Sequence, residues 1–327
     1  MKNLQIASVV LVAVILAACG SKKPEQAAAG AADQAPKAAP SGNASAEDVA
    51  EEARGDVDCP ADIKTPARAA GAPVDDVVGV RPGMTYEEAA NVVLCTNDLM
   101  VVQPENSRGF QVQTYGQTIR QGFNGRFAEP RVEKSSKQIM QEMQDEAMAR
   151  GSNAVRPDDM KPGQSKWYVG TMGLPGQERV VNAAREEWFE EGRNPTIASV
   201  EQAVITKYGT PTSNRDAGVS GKYLTWAYDT SARLITETSP LVTQCTGMAD
   251  PDGGVNLSPD CGTVVSAVIF PMRDNPELSQ YLQVSVADQA GGYERIGATE
   301  QALQQQEDQR RAEQVQDAAT NADAPTL

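Results

Sequence analysis

The chain contains no histidine. That absence excludes His-dependent nucleophile triads, removes the usual general base near neutral pH and takes away a principal ligand of catalytic zinc. Aromatic residues are also scarce, at 5% of 327 residues. Those present all follow residue 80, where the core is expected. No Gly-x-Ser-x-Gly, no Ser-x-x-Lys and no phosphate-binding glycine pattern occurs. The nearest approach, Gly218-Val219-Ser220-Gly221, reads as a turn before a strand. Basic residues are outnumbered, 29 Lys and Arg against 44 Asp and Glu, for a net charge of −15. Such a balance disfavours nucleic acid and anionic lipid surfaces, and suits solubility or a basic partner.

What is present begins at the N-terminus. Lys2 and the apolar stretch Ile6 to Ala18 lead into Leu16-Ala17-Ala18-Cys19-Gly20-Ser21. A positive start, a short apolar segment and small residues before a cleavage point make an export signal. The apolar run falls short of the roughly 20 residues of a spanning helix, and no later uncharged run approaches that length. With Cys19 after the small residues, the pattern resembles a bacterial lipobox. That resemblance implies cleavage before Cys19 and acylation of its thiol and new amine. The mature chain is then anchored rather than spanning. Gly20 is not the Asp that retains such lipoproteins in the inner membrane, which implies the outer membrane, periplasmic side.

Four cysteines remain: Cys59, Cys95, Cys245 and Cys261. An even number in an exported chain reads as two disulfides, for which three pairings are possible. Cys59–Cys95 and Cys245–Cys261 are expected, because each pair lies within one segment of the chain. The second would close a loop of about 15 residues, worth about 3 kcal/mol in the chain-entropy model.

The chain divides by composition. Residues 1–18 are the leader. Residues 19–57 have almost no large apolar side chains and are expected to be a disordered linker spanning about 35 Å root-mean-square. Residues 58–194 and 195–297 read as two small α+β modules, each with helices packed on an antiparallel sheet. Residues 298–327 form a polar tail, read as a frayed solvated helix. In the first module, Thr85 and Glu88 make a capping box, and Tyr86, Ala89, Ala90, Val93 and Leu94 form one apolar stripe. Strands are expected at 99–103, 110–115 and 117–127. A helix is expected over 136–150, with Ile139, Met140, Met143 and Ala147 as core filler. Two strands follow, at 167–172 and 179–189. In the second module, Ser199 and Gln202 repeat the capping box 114 residues on, and Gly209 and Pro211 end that helix. Strands are expected at 223–228, 233–237, 263–270 and 281–287. The recurrence suggests an internal repeat.

The run Gly79-x-x-Pro82-Gly83-Met84-Thr85-x-Glu87-Glu88 resembles the entry to the first helix of small outer-membrane lipoproteins of the SmpA/OmlA (BamE-like) type. Their fold is shared with β-lactamase-inhibitor-like modules. Lys207-Tyr208-Gly209-Thr210-Pro211 resembles the helix-to-strand junction of such domains. The resemblance implies a helical pair on a three-stranded antiparallel sheet, and covers only the start of each module.

Three constellations invite chemistry. Asp250-Pro251-Asp252-Gly253-Gly254 carries oxygen donors around glycines, but Gly254 and Cys261 hold places where a calcium loop needs ligands. It reads as a turn between bridged cysteines, so no metal and no cofactor are expected. Glu186-Glu187-Trp188-Phe189-Glu190-Glu191 could pair carboxylates for glycan hydrolysis, which needs two acids about 5–9.5 Å apart. Charged strand edges of this kind more often block edge pairing. If the strand is regular, Trp188 and Phe189 point to opposite faces, one to the core and one to a binding surface. Arg120, Phe123, Arg126, Phe127 and Arg131 interleave bases and aromatics, which in an acidic exported chain reads as arginine stems lying on apolar surface. The expected function is non-enzymatic protein–protein contact in the envelope, structural or inhibitory. Trp188, Phe189, Arg120 and Arg126 are its candidate surface, and the membrane is reached through the lipid. A carboxylate-based glycan hydrolase or a small-ligand-binding lipoprotein is the alternative; the oligomeric state and the partner stay open.

Overall fold

The computed structural model describes residues 42–60, 62–105, 110–150, 160–245 and 248–321. Cys19, the leader and residues 20–41 lie outside that set. Regular structure occurs within the stretch that composition marks as linker. Helix α1 (Ala46–Arg54) sits within the stretch expected to be linker, started by a Ser45–Asp48 capping box. Its apolar face is small: Ala50 packs with Val101 and Ala128, with Val49 and Ala46 beside it. A stripe of alanines carries little hydrophobic signal, so composition hid this helix.

Helix α2 (Tyr86–Leu94) forms as its sequence dictates. The Thr85 hydroxyl accepts from the Glu88 amide, the Glu88 carboxylate accepts from the Thr85 amide, and Cys95 is the C-cap. Helix α4 (Ile197–Tyr208) is capped three residues before the expected position. Thr196, not Ser199, is the N-cap, and its side chain accepts from the Ser199 amide. Both residues can cap, but Thr196 follows a proline and its extended backbone suits the cap position. The offset between the two caps is therefore that of Thr85 to Thr196. Val200, Val204 and Tyr208 form the buried stripe. Gly209 (φ 85°) then ends the helix in a conformation that only glycine adopts freely.

Among the described residues there are eight antiparallel strands: β1 (Met100–Pro104), β2 (Gly122–Phe127), β3 (Ser165–Met172), β4 (Arg179–Trp188), β5 (Ser213–Asp216), β6 (Lys222–Asp229), β7 (Cys261–Pro271) and β8 (Ser279–Asp288). Their order across the sheet is β1-β2-β3-β4-β8-β7-β6-β5. The chain thus runs helix then four-strand meander twice, and the last strands of the two meanders pair with each other. Local details recur. Val180 donates to Met84 where Ser279 donates to Pro195, each tying a helix entry to a last strand. Register shifts leave Val181 out of the β3–β4 ladder and Gln280 out of the β7–β8 ladder, at corresponding places.

The α+β class with an antiparallel sheet is therefore as expected. The two halves share one sheet and one principal core, which takes in Val93, Phe123 and Trp167 along with Val204, Trp226 and Val286. Helices α2 and α4 cover one face, called inner here. Helix α5 (Gln289–Asn321) packs on β3, β4, β7 and β8. It runs through the boundary expected at 297, and Leu303 is fully buried, so the first part of the polar tail belongs to the fold. The segments 110–115 and 233–237 are not strands, while the short edge strand β5 carries no apolar alternation to announce it.

Helix α3 (Ser136–Arg150) forms where expected, with Ser135 and Gln138 bonded reciprocally at its start. Its stripe is not core filler. Ile139, Met140 and Met143 are 47%, 61% and 66% exposed, and the Ala147 side chain lies outside the described part. Among the described residues this helix of the β2–β3 connection has no substantial packing against any strand or other helix, so its stripe stays exposed. Both expected disulfides are present. Cys59–Cys95 ties the segment after α1 to the end of α2, and Cys245–Cys261 closes the β6–β7 connection beside Ala227, Ile235 and Val264. No helix among the described residues is long and apolar enough to cross a membrane.

Candidate functional site

Strand β4 separates Trp188 from Phe189. Phe189 packs against the principal core, while Trp188 belongs to the outer face. There Trp188 stacks on Tyr281 of β8, with ring centroids 5.1 Å apart and planes 2° from parallel. Tyr281 stacks in turn on Phe270 of β7 at 4.2 Å and 20°. The ladder registers Trp188↔Tyr281 and Tyr281↔Phe270 put these rings side by side, and all three are half-buried. Stacked aromatic pairs add about 0.5–1.5 kcal/mol each beyond their area.

One register step further along the strands, the same face carries Lys166, Glu186, Gln283, Val268, Tyr223 and Arg215 in a single row from β3 to β5, and Arg126, just past the last β2–β3 pair Gly125↔Trp167, lies at its β2 end. Its centre is filled from within. Glu186 is buried, accepts 2.6 Å from the Trp188 indole N–H and lies 3.5 Å from Lys166. Lys166 also reaches Asp252 at 2.6 Å, which draws the loop between Cys245 and Cys261 across the face to β3. At the far end the Arg215 guanidinium lies 4.5 Å over the Tyr223 ring. Arg126 is exposed.

Arg120 plays a different part. It pairs with Glu178, whose side chain is 1% exposed, and with Glu87, and it lies 4.4 Å over the Tyr86 ring. Burial alone would lower its affinity for the proton, but the carboxylates of Glu178 and Glu87 outweigh that and raise it. In the same way Glu87 is pushed up by burial, yet held below its ordinary value by Arg120. Arg120 is a latch between α2, the approach to β2 and the β3–β4 turn, and of the four candidate surface residues only Trp188 and Arg126 share the outer face.

The carboxylate cluster disperses. Glu186 is on the outer face with Trp188 and Lys166, Glu187 pairs with Arg185, Glu190 pairs with Arg193 across a turn, and Glu191 is exposed. Alternation along β4 sends Glu186 and Glu187 to opposite faces, so they do not confront one another across a cleft. The Asp250 segment is a tight turn in which Asp250 pairs with Gly254 and its carboxylate accepts from the Asp252 amide. No cluster of His, Cys, Asp and Glu that could hold a metal occurs among the described residues. The hollow beside α5 lined by Asp229, Asp288 and Glu294 is polar.

Sequence reasoning missed Tyr281, Phe270 and Tyr223. Each sits in a strand whose two faces are both largely covered, so apolar alternation is weak there, and only the register reveals that they join Trp188. Comparison with protein-family models, with curated proteins and with solved structures finds no match to this chain.

Proposed function

We propose that this chain is a lipid-anchored periplasmic protein that acts through protein–protein contact in the cell envelope, with the outer sheet face as its binding surface. The observation that carries the reading is the half-buried row Trp188–Tyr281–Phe270, accompanied on the same face by Tyr223, Arg126 and Arg215. Trp, Tyr and Arg are the residues most enriched at interface hot spots, where rigid rings give large contact area at low entropic cost. The lipobox at Cys19 and the export signal support the anchor and the compartment. The recurring helix-and-meander order, the paired bulges at Val181 and Gln280 and the paired helix entries support two duplicated α+β modules, fused into one sheet. They are also compatible with the SmpA/OmlA-like, β-lactamase-inhibitor-like resemblance at the helix entries.

The test places a photo-crosslinking amino acid at Phe270 or Tyr223 in living cells, with Val219 and Val315 as exposed controls. A discrete product from the outer face and none from the controls supports the reading. Equal or absent products from all four positions would remove it. Labelling with palmitate, lost in Cys19→Ser, tests the anchor separately.

A further inference from the structure

The pseudo-twofold relation between the halves says what kind of element fits the aromatic row. Val180 corresponds to Ser279, and Val181, skipped in the β3–β4 ladder, to Gln280, skipped in the β7–β8 ladder. The pair Asn182–Ala287 in the β4–β8 ladder is therefore the symmetry mate of Tyr281–Trp188, and Gly170 is the mate of Phe270. The two rows differ in what covers them. Over Gly170–Asn182–Ala287 passes α5, which follows β8 directly and is so close that a Cβ on Gly292 would stand 3.3 Å from Val181. After β4 the chain instead turns straight into α4, and among the described residues no helix crosses Trp188–Tyr281–Phe270. Asn182 and Ala287 are fully covered under α5, whereas the three rings of the mate row are half-buried. Small residues lie where a helix packs, and large rings lie where its counterpart is missing.

The same chain also holds a helix with an unpartnered apolar face, α3, which presents Ile139, Met140 and Met143. Methionine sulfur against aromatic rings is a favourable contact, and an amphipathic helix laid in an apolar groove is a common recognition mode. Lys137 flanks the α3 stripe, and the exposed Glu191 lies three residues beyond Trp188; among the described residues the neighbouring ion pairs are Lys134–Glu142 and Arg193–Glu190, which leave both Lys137 and Glu191 open to a partner. The geometry points to a homodimer in which α3 of a second copy occupies the Trp188–Tyr281–Phe270 row, and reciprocally, so that two identical contacts close about a twofold axis. This rests on the reading of the outer face as a binding surface and names its partner.

The experiment uses the exported chain with Cys19→Ser, so that it is handled without lipid. Sedimentation is expected to show a monomer–dimer equilibrium that Met143→Glu shifts at least tenfold toward monomer, without loss of fold, since Met143 is exposed. Mixing a Met140→Cys chain with a Phe270→Cys chain is expected to yield a covalent heterodimer that neither gives alone. A chain that stays monomeric at all concentrations overturns the proposal. So does a crosslink forming within one chain when both cysteines are placed on it, which would make α3 a lid rather than a dimer contact. If self-association fails while the in-cell crosslinks at Phe270 capture a discrete envelope protein, the binding surface stands and only the identity of its occupant is wrong.

Discussion

The Tyr208 hydroxyl donates a 2.8 Å hydrogen bond to the main-chain oxygen of Asp76, joining the last turn of α4 to the segment that leads into α2. Lys207 reaches the Asp76 carboxylate at 2.8 Å, and Arg68 reaches it at 2.9 Å. The two halves are thus bound at the helix layer as well as through the sheet. Tyr208 also packs on Trp226 at 5.2 Å, and burial pushes its phenol far above the ordinary range, so it stays a donor at every working pH. Tyr208→Phe keeps the ring and leaves one carbonyl without its donor. It is expected to cost about 1 kcal/mol, read from urea unfolding.

Asp76 gives the pH dependence its sign. Burial raises its proton affinity, but hydrogen bonds from Lys207 and the Gly79 amide, with the Lys207 and Arg68 charges, more than reverse this and hold it below its ordinary value. A carboxyl depressed in the folded state contributes stability above its unfolded pKa, near about 4, and loses it as pH falls through the folded value. The stability gap between the native chain and Asp76→Asn should therefore be full at pH 7 and shrink below pH 4. A gap unchanged at pH 3 would contradict the assignment.

Arg120→Ala removes the guanidinium from a nearly inaccessible Glu178. An uncompensated buried carboxylate is costly, so a loss of about 2–4 kcal/mol is expected. If Arg120 were instead a surface contact, thermal unfolding would barely move. Arg126→Ala, on the open face, is expected to change stability by less than about 0.5 kcal/mol.

Gly170 leaves room for the Asn182 side chain, whose amide oxygen a Cβ on Gly170 would overlap. Asn182 is fully buried and makes no side-chain hydrogen bond among the described residues. Gly170→Ala should cost about 1–3 kcal/mol by overpacking, and Asn182→Ala should relieve most of that cost in the double variant. Additive losses in the cycle would mean that the strain lies elsewhere.

Leu303→Ala should destabilise by about 2–5 kcal/mol, because its side chain is fully buried in α5. Met143→Lys on α3 should be near neutral in thermal unfolding, since the side chain faces solvent. The sequence pattern alone would rank them the other way, with the Met stripe in the core and the Gln-rich tail in water.

Local chemistry was legible in the residues. The Thr85–Glu88 box, the Gly209 stop, the β3, β4, β6, β7 and β8 strands and both disulfide pairings follow from short-range capping, alternation and cysteine position. The caps, the stop and the strands are set by a residue's own neighbours within a few positions, whereas the cysteine pairs, 36 and 16 residues apart, follow from which segment of the chain each cysteine lies in. What tertiary structure alone decided is which surfaces meet. No local pattern says that β4 pairs with β8, that α5 leaves the solvent to bury Leu303, or that Trp188, Tyr281 and Phe270 form one row. The β4–β8 pairing joins residues as far apart as Trp188 with Tyr281 and Asn182 with Ala287, and such long-range register and packing are fixed by the fit of a whole face at once. The same cause put α3 in solvent: an apolar stripe predicts a helix, but only the fold determines whether anything lies against it.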